Sequence, residues 1–181
     1  MNDWLEIEKK YRLDETKYRE VLSTLSELKA EFIGEDFEEN KLFTNDYLTE
    51  KRAVLRLRKT TKGGFLTYKC RIQNNIGIKQ QIEYETEVSD PTATEKIIEN
   101  VGLKLRIIYE KRRKTWKLRN AEIALDELPF GFFMEIEGSI AVISEAEALL
   151  GADEYPVEHE TYPNLTLRYG KENQGVIEAR F

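Results

Sequence analysis

The sequence predicts an α+β fold in which a closed or strongly curved antiparallel sheet carries helices on its outer side. Three observations point there. A long series of segments alternates apolar and charged residues at the two-residue period of a strand, few segments repeat apolar residues at helical spacing, and the turn signals between strands suit hairpins. With 181 residues, 40% hydrophobic content, 10 Gly and 4 Pro, the chain has apolar material for a single domain over 1–181, without the composition of a disordered tail or a fibrous repeat.

Leu5 to Leu13 has strand character. Asp14 then opens a helix whose apolar residues Tyr18, Val21, Leu22, Leu25, Leu28 and Phe32 share a face, with Gly34 as its stop. Alternating segments follow around Lys41 to Tyr47, Ala53 to Lys59, Gly64 to Gln73 and Lys79 to Val88, separated by Thr60-Thr61-Lys62-Gly63-Gly64 and Asn74-Asn75-Ile76-Gly77. Ser89-Asp90-Pro91 starts a second helix that Gly102 stops. Strands resume near Leu103 to Glu110, Arg112 to Leu118, Ala121 to Glu127 and Phe132 to Ser139. Ser144-Glu145-Ala146-Glu147 reads as the capping box of a short helix ending at Gly151, and Tyr162 to Tyr169 as further helical turns.

Composition excludes several chemistries. One cysteine, Cys70, rules out an internal disulfide framework and a cysteine-based zinc cluster, fits a reducing compartment, and by its strand phase belongs to the core. No apolar run approaches a membrane span, and Met1-Asn2-Asp3-Trp4 lacks the basic start and apolar stretch of a signal peptide. The expectation is a soluble cytoplasmic protein without a membrane partner. His159, the only histidine, sits in an acidic segment and reads as a surface residue.

The net charge of −6 conceals a sorting of signs along the chain. Lys51 to Arg71 contains eight basic residues and no acid, Lys104 to Arg119 contains eight more with only Glu110, and Asn120 to Leu167 has eleven carboxylates and no Lys or Arg. The basic blocks alternate with strand-like apolar residues and lack a recognition helix or aromatic platform, so no polynucleotide partner is expected.

Strand phase groups these charges. Glu6, Glu8 and Lys10 share one face of the first strand; Arg56 with Arg58, Lys69 with Arg71, Glu83 with Glu85, Asp126 with Glu122, and Glu135 with Glu137 do the same on theirs, against mostly apolar neighbours. A solvated outer face is the plain reading of such alternation. A wet face usually mixes both signs, however, and like charges two positions apart repel. Metal ions against the carboxylates and a polyanion against the cations would relieve that repulsion if the charged face lines a closed sheet and helices cover the apolar exterior.

The residues that carry this pattern resemble a known family. Glu6-Ile7-Glu8-Lys9-Lys10 is similar to the Glu-x-Glu-x-Lys signature of the CYTH superfamily, the triphosphate tunnel metalloenzymes, which include class IV adenylyl cyclases, thiamine triphosphatases and inorganic triphosphatases. Leu55-Arg56-Leu57-Arg58, Tyr68-Lys69, Glu83-Tyr84-Glu85, Lys111-Arg112-Arg113, Leu125-Asp126 and Gly131-Phe132-Phe133-Met134-Glu135-Ile136-Glu137 follow in the family's order. Tyr162-Pro163-Asn164-Leu165 resembles its Ser-Tyr-Pro-x-Leu, with Thr161 in place of the serine. The resemblance covers nearly the whole chain and implies an eight-stranded antiparallel tunnel with a charged interior and helices outside.

It also implies roles. Arg56, Arg58, Lys69, Lys111 and Arg113 would cradle a triphosphate, with arginine forks binding phosphate oxygens bidentately and lysines acting as point charges. Glu6, Glu8, Asp126, Glu135 and Glu137 would supply hard oxygen ligands to one or two Mg²⁺ or Mn²⁺ ions. Glu6, Glu8 and Lys10 would form the catalytic signature, Lys10 either assisting proton transfer or stabilising the leaving oxygen, and Glu83 and Glu85 would ligate metal or hold the cations. Arg112, out of step with its neighbours, should face outward, and Lys171 could approach the tunnel mouth.

The implied activity is metal-dependent hydrolysis of inorganic tripolyphosphate or a nucleoside triphosphate, or of thiamine triphosphate if Trp4, Trp116 or other aromatic residues form a platform. Two alternatives stay open: a class IV adenylyl cyclase making cyclic AMP and pyrophosphate, and a non-catalytic polyphosphate- or nucleotide-binding module. Met1 to Leu5 lacks the His-Phe pair that precedes the cyclase signature, which tilts the choice toward a hydrolase. The partner expected is a triphosphate-containing small molecule; an oligomer is compatible with the sequence and not specified by it.

Overall fold

The computed structural model describes residues 5–72 and 79–181, so Trp4 and the turn expected at Asn74 to Gly77 lie outside the described residues. Strand β1 (Leu5–Leu13) enters α1 (Glu15–Glu27) through Asp14, whose carboxylate accepts from the Lys17 amide. The helix stops earlier than its apolar spacing predicts. Lys29 takes φ 54, in the left-handed region, the Ala30 amide bonds the Leu25 carbonyl at 2.9 Å, and Phe32 and Ile33 pass into β2 (Glu31–Thr44). Phe32 fits either period; its cross-strand partner Trp116, with ring centroids 5.2 Å apart, decides for the strand.

The short helix α2 (Asp46–Glu50) follows, capped by Asn45, so Tyr47 is helical rather than the end of a strand. Then come β3 (Ala53–Lys59), β4 (Gly64–Ile72), β5 (Lys79–Val88) and α3 (Pro91–Asn100). The two strands expected over 103–118 are one, β6 (Lys104–Leu118), because β2 pairs along nearly its whole length and leaves no place for a turn. After β7 (Ala121–Leu128) and β8 (Gly131–Glu137), helix α4 (Ile140–Leu150) is capped by Ser139. Ser144 therefore lies inside the helix and caps nothing; burial of Ile143, Ala146 and Leu150 extends the helix to either side of it. Gly151, at φ 61, ends α4 as predicted. Helix α5 (Tyr162–Tyr169) and two strands absent from the sequence reading, β9 (Lys171–Asn173) and β10 (Val176–Ala179), complete the chain.

Hydrogen bonds run around a ring of eight strands, β2-β3-β4-β5-β1-β8-β7-β6 and back to β2, antiparallel at every step. The ring is the antiparallel tunnel expected; β9 and β10 are added outside it, and the whole sheet is mixed because β10 lies parallel to β6, where Ile107 to Tyr109 run beyond the reach of β7. Arg180 fastens this addition through Glu39 and Glu110, both at 2.7 Å.

Apolar residues on the outer face of the ring meet helices. Tyr11, Ile123, Leu125, Met134 and Ile136 pack beneath Val21 and Leu25 of α1 and Ile143 and Leu150 of α4, while Ile98 of α3 covers Phe43 and Leu57. Helix α5 has a second kind of contact. Its Tyr162 and Leu165 join Leu42, Tyr109 and Phe133, which are in step with the charged residues Lys111 and Glu135, so α5 packs into one end of the ring's interior. Cys70 is half-buried on the outer side at the C-terminal end of α2, with Sγ 3.3 Å from the Lys51 carbonyl, rather than in the core. Among the described residues, no helix is long and apolar enough to cross a membrane.

Leu165 is fully buried in the cluster that α5 makes with the ring. Leu165→Ala should cost about 2–4 kcal/mol, read as a lower urea midpoint with unchanged slope; a cost near zero would mean that α5 rests on the ring without closing it.

Candidate active site

The inward positions of the ring enclose a cavity of about 630 Å³. Glu6, Glu8 and Lys10 of β1, Arg56 and Arg58 of β3, Lys69 of β4, Glu83 and Glu85 of β5, Lys111 and Arg113 of β6, and Glu135 and Glu137 of β8 all line it. Strand alternation places them: most have an outward apolar neighbour, such as Ile7 beside Glu8, Leu57 beside Arg58 and Ile136 beside Glu135, while Lys111 and Arg113 flank the outward Arg112. Asp126 is the one predicted site residue that does not line the cavity. It is fully buried in the wall, where Arg113 donates to both its oxygens at 2.7 and 2.6 Å and the Tyr162 hydroxyl donates at 2.7 Å. Arg112 faces outward, stacked 4.1 Å from the Phe181 ring centroid and bonded to Glu127, as strand phase predicts. His159 is exposed, and Lys171 stands exposed on β9, away from the cavity lining.

The cations are held by named partners. Arg58 donates to both Glu85 oxygens at 2.9 Å and lies 3.6 Å from Glu38. Arg56 reaches Thr67 at 3.2 Å and Glu85 at 3.3 Å, and Thr67, fully buried, in turn donates to Glu85 at 2.6 Å. Lys69 bridges Glu6 at 3.1 Å and Glu83. Glu83 and Glu85 thus hold cations in this structure, one of the two roles the sequence left open for them. Arg113 also donates to Glu135, which lies 3.4 Å from the Lys10 ammonium. Lys10 in addition donates to the Glu160 carbonyl at 3.1 Å and sits 4.0 Å from the Tyr162 ring centroid. The Nε–H groups of Arg56 and Arg58 are buried and have no acceptor among the described residues.

Glu38 was not identified from sequence. Its signal, the alternation Asp36, Glu38, Asn40, Leu42, is hidden once the preceding residues are read as helix. The side chain is almost fully buried, 3.3 Å from the Lys111 ammonium. Burial alone would raise its carboxyl pKa; Lys111, Arg113, Arg58 and Arg56 overcome that and hold it at about 2. Lys111 shows the opposite balance: burial and then Arg113 lower its pKa, against Asp126, Glu38 and Glu135.

Carboxylates gather in one row. Glu8, Glu137 and Glu122 are direct cross-strand neighbours over β1, β8 and β7, and Glu6 shares the face of Glu8. Burial, and then Glu6, Glu122 and Glu8, push the carboxyl of Glu137 up to about 7. Hard oxygen donors crowded against like charge suit Mg²⁺ or Mn²⁺. Among the described residues, no three carboxylate, imidazole or thiolate groups already stand close enough to form a metal site, so the fit lies in donor chemistry and charge rather than in preassembled geometry.

An eight-stranded ring with cations and carboxylates sorted over its interior defines a tunnel-type β protein built for a highly charged ligand. The chain belongs to the CYTH domain family, within the triphosphate tunnel metalloenzyme superfamily: residues 5–162 match the family's model. No curated protein matches. Among solved structures, a Pyrococcus horikoshii OT3 protein is 28% identical with a TM-score of 0.77, over 88% of this chain and 98% of its own. A conserved hypothetical protein from Pyrococcus furiosus is 24% identical with a TM-score of 0.78, over 88% and 99%. HpAC1 from Hippeastrum, described as an adenylyl cyclase candidate with a dominant triphosphatase activity, is 18% identical with a TM-score of 0.71, over 95% and 99%.

The raised carboxyl of Glu137 sets a pH dependence. Its charged form is penalised in the folded state, so the penalty is absent below the ordinary carboxylate range and complete above about pH 7. In chelator, Glu137→Gln should therefore raise the melting temperature at pH 8 and leave it unchanged at pH 4; equal effects at both would remove the crowded-carboxylate assignment.

Proposed function

We propose that this protein is a divalent-metal-dependent triphosphatase that hydrolyses inorganic tripolyphosphate or a nucleoside triphosphate inside the ring. The observation that carries the reading is the convergence of Arg56, Arg58, Lys69, Lys111 and Arg113 on one cavity, together with the buried Nε–H groups of Arg56 and Arg58, which find no acceptor among the described residues. A buried donor left unmade costs free energy unless a ligand completes it, and phosphate oxygens are the acceptors an arginine fork fits.

The lining also favours a metal-bound polyanion over an anion alone. Among the described residues the cavity is lined by Lys10, Arg52, Arg56, Arg58, Lys69, Lys111 and Arg113 against Glu6, Glu8, Glu83, Glu85, Glu122, Glu135 and Glu137, so the charges balance. A bare triphosphate would upset that balance at the carboxylates; one accompanied by divalent cations preserves it. Glu6, Glu8, Glu135 and Glu137 would hold the ion, which when bound neutralises charge on the phosphoryl group and acidifies water. Asp126, saturated by Arg113 and Tyr162, serves in this reading as the anchor of Arg113.

In the reaction, water oxygen attacks the terminal phosphorus and the bridging P–O bond breaks, releasing orthophosphate and the diphosphate fragment. Arg56, Arg58, Lys69 and Arg113 orient the chain and stabilise the charge spread over its oxygens. Lys10, donating to a carbonyl and facing Glu135, is arranged as a charged donor, which favours stabilisation of the leaving oxygen over proton removal. Among the described residues the aromatic side chains that line the cavity are Tyr109 and Tyr162, whose positions among charged side chains favour phosphate recognition; Trp4 lies outside the described residues. The HpAC1 description is consistent with a hydrolase on this fold.

The test is incubation with tripolyphosphate, ATP and thiamine triphosphate, with Mg²⁺ or Mn²⁺, resolving phosphate, pyrophosphate and cyclic AMP. Orthophosphate from tripolyphosphate or ATP, abolished by chelator, is the expected result; cyclic AMP with pyrophosphate, or binding without turnover, would overturn it. Arg58→Ala should raise KM by about tenfold to a hundredfold with a smaller loss in kcat, as loss of one charged phosphate contact predicts. Glu8→Gln should reduce kcat by at least about a hundredfold, measured with Mn²⁺ in excess.

A further inference from the structure

Glu38 lies on β2, the strand hydrogen-bonded between the two that supply most of the cations: β3 with Arg58 and β6 with Lys111. Register puts Glu38 directly opposite Lys111 and puts Asn40, two residues on, opposite Arg58. Asn40 Nδ2 donates to Glu38 at 3.3 Å, which steadies the carboxylate. Unlike Glu83 and Glu85, Glu38 is absent from the cavity lining, so it sits behind the cations rather than beside an incoming ligand.

The atoms of Arg58 are divided accordingly. Nη1 lies 3.6 Å from Glu38, Nη2 bonds the cavity-lining Glu85, and Nε has no acceptor among the described residues. An anion entering the cavity competes with Glu85 for the Nε and Nη2 edge. It does not compete with Glu38.

We propose that Glu38 is a positioning residue for anion binding: from behind the wall it fixes the Nη1 corner of Arg58 and the ammonium of Lys111, so that the Nε and Nη2 edge of Arg58 remains presented to a phosphate once Glu85 is displaced. The inference rests on the triphosphate reading of the site. It carries a sign that charge balance alone would not. Glu38→Gln removes a negative charge beside the cradle, so a purely electrostatic role predicts tighter anion binding, whereas a positioning role predicts weaker binding.

The experiment is calorimetric titration of the full chain with tripolyphosphate in Mn²⁺, alongside turnover, for the native protein, Glu38→Gln, Arg58→Ala and the double variant. Glu38→Gln should weaken binding by about tenfold, and in the Arg58→Ala background by about threefold or less, because only the part that passes through Lys111 remains. Unchanged or tighter binding by Glu38→Gln, or full additivity in the double variant, overturns the proposal. Should Glu38→Gln fail to fold by circular dichroism, Glu38→Asp, which keeps the charge at shorter reach, carries the test: a loss of about threefold supports positioning and native affinity overturns it. Binding without turnover in the native protein removes the hydrolase reading yet leaves Glu38 judged by affinity. Turnover with unaffected Glu38→Gln removes Glu38 alone, and no binding of tripolyphosphate by the native protein overturns both.

Discussion

The structure depends on one constraint: charges enclosed by a β ring must find opposite charges within it. Taking an ion out of water costs several kcal/mol even after relaxation, so an inward Arg or Glu is tolerable only when a partner on a neighbouring strand meets it. Closure of the ring makes those partners available. Arg113 finds Asp126 across β6 and β7, and Lys69 finds Glu83 across β4 and β5. The apolar half of each strand then faces outward, where it demands the cover that α1, α3 and α4 provide.

The interior acids consequently divide by what they touch. Glu38 and Asp126 stand in the wall behind cations, and Glu83 and Glu85 share the cavity surface with them. Glu8, Glu122 and Glu137 adjoin one another across three strands, and this is where repulsion shows, in the raised carboxyl of Glu137. A wall of ion pairs beside a row of adjoining carboxylates is the electrostatic form expected of a site for a ligand carrying both signs, as the proposed metal-bound triphosphate does.

Much of this was legible in sequence because strand alternation has a period of two and charge makes it visible. Lys111 and Arg113 inward with Arg112 outward, or Glu135 and Glu137 inward with Ile136 in the core, follow from counting. The failures have equally local causes. Tyr18 to Phe32 keeps helical spacing past the true end of α1, since a helix-compatible face cannot report that Phe32 gains more from Trp116. That error swallowed the first residues of β2, and the strand expected only from about Lys41 left Glu38 and Asn40 unassigned. Strands β9 and β10 are too short to show a period, and the pairing of β10 with β6 is set by tertiary structure alone. The burial of Asp126 behind Arg113 was beyond reach for another reason: phase gives the face a side chain takes, and not which of two inward groups stands in front.

Helix α5 packs Tyr162 and Leu165 into one end of the interior, where Leu42, Tyr109 and Phe133 form an apolar cluster with them. A pore open at both ends would let a long anionic polymer thread through and be cut anywhere along its length. Under the proposed hydrolysis, an apolar floor at that end would act as a ruler, stopping an entering terminus at a fixed depth.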